Sequence, residues 1–434
     1  MSILETLRNA WKTADIRKKI LYTLFIIIIF RIGTSIPVPF IDSAAIANFF
    51  NPTPGTNTGE NLLGYLNMLS GNALAQGTVF SLTIQPYINA SIIVQLLTIA
   101  IPALEKMQKD GGEEGKKKLN QITRYTTVVI GAVQGFAYYT ALKSSGALVT
   151  YGGFYDIIIM VAILLTLITG SCLVMWLGES INEKGIGNGI SIILFASIIS
   201  RAPELVMYMI NEIMMGRWYT DIVVLIMGLL MLAFIVFMDN AERRIPIQYA
   251  KRQVGRKMYG GQSTHLPIKV AMTGVMPIIF TFAITTLPAT IAAFMPNSGY
   301  ANFIQTYFSQ RSLIYILLTL VLIIAFNYFY IAIQYNPIEI ANNIKNNGGT
   351  IPGIRPGKPT SDFIIRSLNR VTLVGALFLG VIAILPFIFG IIFPASSGIA
   401  LGGTSIMIVV SVALETVKQL ESQMLMRHYK GFLE

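Results

Sequence analysis

The sequence predicts an all-α polytopic membrane protein with ten transmembrane helices, arranged as two inverted five-helix halves. Three observations predict this. Hydrophobic residues fill 54% of the 434 positions and charged residues only 12%, about half the charge of a soluble domain. Apolar runs long enough to cross a bilayer recur along the whole chain. The basic residues, which leave a net charge of +11, collect in alternate loops. The same composition excludes a soluble enzyme, a disordered chain and a coiled coil.

A spanning helix needs about 20 mainly apolar residues. Such runs lie at Ile20–Ile36, Phe80–Ile101, Tyr125–Leu142, Ile157–Leu177, Ile222–Met238, Val270–Phe294, Leu313–Ile333 and Val371–Phe393. Two shorter runs, Ile186–Ile199 and Ile399–Leu414, open on glycines and complete the ten; without them the count is eight. Ahead of the first run, Ile3, Leu4, Leu7 and Trp11 recur at helical spacing among Arg8, Lys12, Arg17, Lys18 and Lys19. That pattern suits a basic amphipathic helix on a membrane surface, or a solvated leader helix. The polar residues before the first run, with no small-residue cleavage site after it, argue against a cleaved signal peptide.

On this frame, 27 of the 32 Lys and Arg fall on the side of the two termini. Only Lys143, Arg201, Arg217 and Arg311 fall on the other, and Arg31 lies inside the first span. Cytoplasmic loops carry such an excess, so both termini are expected in the cytoplasm. Dropping a single span would scramble the asymmetry, which supports ten. The chain then divides into a leader (1–19), an N-terminal half (20–211), a C-terminal half (217–422) and a cytoplasmic tail (423–434).

The first outer loop, Pro37 to about Thr78, is long. Asn51–Gly59 is rich in Pro, Gly, Thr and Asn and reads as coil. In Asn61–Gln76, Leu62, Leu66, Leu69 and Ala73 fall on one helical face. This helix is too short to span; it could cap the fold, lie in the interface or re-enter the protein. The basic loop 239–269 holds the strand-like Ile245-Pro-Ile-Gln-Tyr249, followed by Lys251, Arg252, Arg256 and Lys257, and reads as a basic hairpin. The basic loop 336–370 carries turn signals at Asn347-Gly-Gly349 and Ile354-Arg-Pro-Gly357. Basic loops of this size serve topology, a docking surface for a large partner, or both.

An odd number of spans in each half makes the halves inverted. The second helix of each half carries an early proline followed two residues later by isoleucine: Pro86 and Ile88, Pro277 and Ile279. The last helix of each half carries Gly189-Ile-Ser-Ile192 and Gly403-Thr-Ser-Ile406.

Ion-coupled transporters keep ionisable groups at mid-membrane. Here the spans hold neutral Gln85, Asn89, Gln95, Gln134, Asn327 and Gln334 instead. No carboxylate pair and no Ser–His–Asp set is available for catalysis. Cys172 is alone, and His265 and His428 lie far apart, so no metal site or cofactor is expected. A multi-span secondary transporter is the rival reading, and it requires an ion or substrate site that these spans lack.

Eight segments, in order along the chain, match one family. They are Pro86-Tyr-Ile-Asn-Ala-Ser-Ile-Ile93, Gly115-Lys-Lys-Lys118, Trp176-Leu-Gly-Glu179, Gly185-Ile-Gly-Asn-Gly-Ile-Ser191, Tyr249-Ala-Lys-Arg252, Ser263-Thr-His-Leu-Pro-Ile-Lys269 and Ile354-Arg-Pro-Gly357, joined by Gly402-Gly-Thr-Ser405. On these residues the sequence resembles the SecY family, the central subunits of the bacterial Sec protein-conducting channel, over essentially its full length. The resemblance implies two five-helix halves around a central pore, and passage of unfolded secretory proteins across, and of membrane proteins laterally into, the bacterial plasma (inner) membrane. It implies a pore ring at Ile84, Ile88, Ile190, Leu194, Ile279 and Ile408. The family usually has isoleucine where Leu194 stands, and leucine excludes water as well. It places a plug at 61–76, including Leu62, Leu66, Leu69 and Ala73. It places a lateral gate between the second and seventh helices, with Pro86 and Pro277 on them and Gln95 and Asn188 as polar members. It assigns Arg252, Arg256, Lys257, Arg355 and Lys358 to binding of the SecA ATPase or the ribosome. The other partners it implies are SecE- and SecG-type small membrane subunits, a signal-sequence-bearing precursor and membrane lipid.

Overall fold

The computed structural model describes residues 3–42, 45–46, 70–109, 111–144, 146–148, 152–216, 218–249, 252–254, 257–259, 263–293, 298–308, 312–392 and 402–430. They form two units: Met1–Val223 with Phe282–Tyr315 and Ile408–Glu434, and Val224–Thr281 with Ile316–Met407.

The helices, in chain order, are α1 (Ile3–Lys12), α2 (Ala14–Gly33), α3 (Gln85–Ala100), α4 (Pro102–Lys109), α5 (Gly112–Ser144), α6 (Phe154–Lys184), α7 (Gly189–Ile199), α8 (Ala202–Met214) and α9 (Trp218–Asn240). There follow α10 (Met276–Ala293), α11 (Gly299–Tyr307), α12 (Leu313–Gln334), α13 (Pro337–Asn346), α14 (Lys358–Ile392) and α15 (Gly402–Lys430). Every one of the ten apolar runs overlaps a helix. By length and composition five described helices are able to cross a membrane: Phe154–Lys184, Gly189–Asn211, Asp221–Asn240, Leu313–Asn346 and Lys358–Leu385. Gln85–Ala100 and Pro102–Gln108, bent by 107° at their junction, make a sixth if counted as one span.

Helices α3 and α10 start later than their apolar runs, and for the same reason. Pro86 stands in the first turn of α3 and Pro277 is the second residue of α10. Proline suits the first turn, where its missing N–H has no partner to lose, and clashes deeper in a helix. The apolar residues before each proline, 80–84 and 270–275, are turns. Helices α5, α14 and α15 instead outrun their apolar cores into polar sequence. In α5 the added turns open with Glu113 and Glu114, acidic residues favoured at a helix start. The leader helix forms, but it packs through Ala10 against Ile16, Ile186 and Leu420, and Trp11 is exposed.

Of the helix read into Asn61–Gln76, Leu62, Leu66 and Leu69 lie outside the described residues. Residues 70–76 are turns rather than α-helix. Gly71 and Asn72 explain this: both have positive φ, 64° and 72°, a left-handed conformation that an α-helix cannot contain. The turn is held in place by Asn72 Nδ2, which donates to Glu204 Oε1 at 3.2 Å, and by Tyr138 Oη, which donates to the Leu74 carbonyl at 2.6 Å. Around it, Leu74, Tyr138, Tyr139, Leu142, Ile163 and Leu167 share a buried cluster.

The second unit contains the strands. The predicted basic hairpin is present: β1 (Glu242–Tyr249) pairs antiparallel with β4 (Ser263–Lys269), from Glu242↔Lys269 to Gln248↔Ser263. Its tip is a second ladder, β2 (Arg252–Val254) with β3 (Lys257–Tyr259). β1 also pairs on its other side with β5 (Gly349–Thr350), from the second basic loop, through Gln248↔Thr350 and Tyr249↔Gly349. Ile245, Ile247 and Ile268 of the hairpin share one core with Ala341 and Ile344 of α13, Ile351, and Ile364 and Leu368 of α14. The two loops are therefore one folded body.

Candidate functional site

In the first unit, Ile84 caps the start of α3, and Ile88 donates its N–H to the Ile84 carbonyl at 3.0 Å. One helical turn apart, they share a face, and both are buried. On α7, Leu194 is buried and Ile190 is half-buried. Ile408 on α15 is buried as well. In the second unit, Ile279 is buried in the first turn of α10, its N–H donating to the Val275 carbonyl at 3.1 Å.

Two glycines set how α3 and α7 meet α6. A Cβ built on Gly178 would lie 3.4 Å from Cδ1 of Ile84 and 3.4 Å from Cδ1 of Ile193. A Cβ on Gly189 would lie 2.7 Å from the Gly178 carbonyl carbon, so the two backbones touch. Ile193 is fully buried at this crossing, and the resemblance did not single it out. The paired glycines of α6 and α7 are the sequence signal that points to it.

The polar positions expected at the gate have local partners. Asn188 is the N-cap of α7: its Oδ1 accepts from the Ile190 N–H at 3.1 Å and the Ser191 N–H at 3.4 Å. Capping of this kind satisfies N–H groups that a helix start leaves unpaired. Gln95 Nε2 donates to Ser91 Oγ at 3.3 Å, one turn back on α3. Asn89, next to Ile88, differs: it is buried and its Nδ2 has no hydrogen-bond partner among the described residues. Where α5 and α6 meet, Arg124 and Glu179 form an ion pair at 2.8 Å. The hydrogen bond that Arg124 donates to Glu179 raises its guanidinium above the ordinary value, partly opposed by burial.

Ala73 of the plug set is buried in the turn 70–76. On the basic body, Arg252 lies opposite Tyr259 in the tip ladder, and Lys257 lies opposite Val254; Arg256 lies outside the described residues. Arg355 and Lys358 are exposed. The turn bearing Arg355 is fixed twice: Ile354 packs on the shared core, and Thr360 Oγ1 donates to the Arg355 carbonyl at 2.9 Å. Tyr335 packs on the same core. Among the described residues, no group of His, Cys, Asp and Glu is arranged to hold a metal.

Residues 78–417 match the SecY family model. The chain is 43% identical over 443 residues to the protein translocase subunit SecY of Streptomyces galbus, covering 99% of this chain and 100% of that protein. Its fold is similar to a solved structure described as a protein conducting channel, with a TM-score of 0.66, 18% identity and coverage of 94% of this chain and 92% of that one. It is also similar to Sec61 in the canine ribosome-channel complex from the endoplasmic reticulum, with a TM-score of 0.63, 16% identity and the same coverage of the two chains. From the family model and an identity of this size along both full lengths, the chain belongs to the SecY family of membrane-embedded protein translocase subunits.

Proposed function

We propose that the chain works as ten spans in two inverted five-helix halves, N-terminal (20–211) and C-terminal (217–422), with both termini in the cytoplasm of a bacterium and a passage for unfolded chains at its centre. The constriction is the aliphatic set Ile84, Ile88, Ile190, Leu194, Ile279 and Ile408. Bulky aliphatic side chains dewet a narrow passage when it is empty, so ions are held back without an ion site. The observation that carries this reading is the burial of Ile84, Ile88, Leu194 and Ile408 in the first unit. The matched late starts of α3 and α10, each set by a proline after a stretch of turns, support the inverted repeat.

Residues 61–76 act as the plug. Cargo leaves for lipid between α3 and α10, the helices of Pro86 and Pro277, with Gln95 and Asn188 beside the route. The chain acts with SecE- and SecG-type subunits and is not itself an enzyme; SecA ATPase or the translating ribosome supplies the drive. The joined basic loops, carrying Arg252, Arg256, Lys257, Arg355 and Lys358, receive that partner. The ribosome complex of the canine relative supports this assignment, and rRNA phosphate suits a basic face.

The test is reconstitution into proteoliposomes with the small subunits, SecA, ATP and a secretory precursor. Translocation of the precursor is expected. Uptake of small solutes without translocation would discredit the channel and favour a transporter. Photo-crosslinkers at Ile84, Ile88, Ile279 and Ile408 should each label a stalled precursor, and four silent positions would sink the ring.

A further inference from the structure

The link between the basic hairpin and α10 is short and fixed along its length. The hairpin closes at Glu242↔Lys269, and the Val270 N–H then donates to the Ala241 carbonyl at 2.9 Å. Residues 270–275 follow as turns and lead directly into the helix of Pro277 and Ile279. Midway along them, buried Thr273 donates its Oγ1 to Asn327 Oδ1 at 2.6 Å. Asn327 Nδ2 donates in turn to the Thr372 carbonyl at 2.9 Å. Thr372 is tied one turn back to the Leu368 carbonyl at 2.7 Å, and Leu368 belongs to the core shared by both basic loops. Close by, a Cβ on Gly375 would overlap the Val270 carbonyl, so α14 lies against the start of the link.

We propose that Asn327 is a positioning residue that couples the basic hairpin to the first turn of α10. The proposal rests on the docking reading given above. Both ends of its amide are used, one on the link and one on α14. A buried polar group satisfied at both ends imposes a geometry that an apolar side chain of similar size would not. With Thr273 held, a shift of the hairpin base is not absorbed within residues 270–275. It passes to the turn where the Ile278 and Ile279 N–H groups donate to the Val275 carbonyl.

The test uses the full-length chain with its small membrane subunits in nanodiscs, titrated with ribosomes carrying a stalled secretory precursor. Hydrogen exchange is followed at amides 276–281. Binding should shift exchange there in the native protein and in Thr273→Ser, which keeps the hydroxyl. In Thr273→Val, and in Asn327→Leu where it folds, the shift should fall about five-fold or more while ribosome affinity stays within about two-fold. A full shift in Thr273→Val overturns the coupling. So does loss of shift and affinity together, which marks a merely structural contact. Reversing charge at the tip with Arg252→Glu and Lys257→Glu separates the two readings. Unchanged ribosome affinity in that variant overturns the docking surface, whereas weakened affinity with the full shift at saturating ribosome supports both.

Discussion

Gly189 lies with its backbone against the carbonyl of Gly178, so that α7 begins in direct contact with α6. Asn182 Oδ1 accepts from the Gly189 N–H at 2.7 Å on the same approach. A methyl group at residue 189 has nowhere to go but into the other helix's backbone, which cannot rotate away. Gly189→Ala should lower stability by about 1–3 kcal/mol, read as a fall in melting temperature of the purified complex. It should also loosen the packing that seats Ile84 and Ile193 beside Gly178.

Asn89 is expected to behave in the opposite way. Its buried Nδ2 has no partner among the described residues; an unsatisfied buried donor costs about 1–3 kcal/mol, and an apolar side chain of similar shape removes that cost. Thermal unfolding of Asn89→Leu should therefore show a gain of about 1 kcal/mol. A loss would mean that the amide finds a partner in the membrane or in a companion subunit.

The Arg124–Glu179 pair should contribute little and insensitively. Arg124 is 49% exposed, and exposed pairs contribute below about 1 kcal/mol. Because the folded state raises the Arg124 value, its contribution is fully present below the unfolded value and fades only in strong alkali. The stability difference between native protein and Arg124→Ala should thus stay flat between about pH 6 and 9 as far as the guanidinium is concerned. Denaturation series at several pH values give the comparison.

Joining of the basic loops makes their stability common property. Ile344→Ala, on α13, removes buried volume from the core that also holds Ile245, Ile247 and Ile268, at a cost of about 2–5 kcal/mol. Hydrogen exchange should rise together in β1, β4 and α13. A rise confined to α13 would show that the loops melt separately.

Charge at the proposed docking surface should be visible in salt. Arg355→Glu is expected to weaken ribosome binding and to lower the slope of log affinity against log salt by about 1 if that side chain meets one phosphate. Sedimentation with ribosomes at four or five salt concentrations measures both. A slope equal to the native one would remove Arg355 from the interface.

Much of this was legible from sequence, because hydrophobic length and charge asymmetry are written in residue types. The hairpin was legible too: Ile245 and Ile247 stand two residues apart, with Arg244 before them and Gln248 after, and both are buried. Helix ends were less so. An apolar run marks what lies in hydrocarbon, whereas α3 and α10 start one residue before Pro86 and Pro277, well inside their runs. β5 was invisible, since a strand of two residues, Gly349 and Thr350, has no periodicity to read. The turn at 70–76 was misread as helix because Leu62, Leu66, Leu69 and Ala73 kept helical spacing while Gly71 and Asn72 broke the backbone between them. Asn327 appeared only as one neutral residue among several. Its importance comes from Thr273 and Thr372, 54 and 45 residues away in the chain.

The pairing of Tyr249 with Gly349 makes neighbours in a single sheet of two residues one hundred positions apart in the chain. Relatives can therefore exchange this surface only as a set. A graft of the hairpin alone would arrive without its edge partner and without half of its core. Insertions and deletions between species should accordingly avoid β1, β5 and α13, and gather at the tip beyond Tyr249 instead.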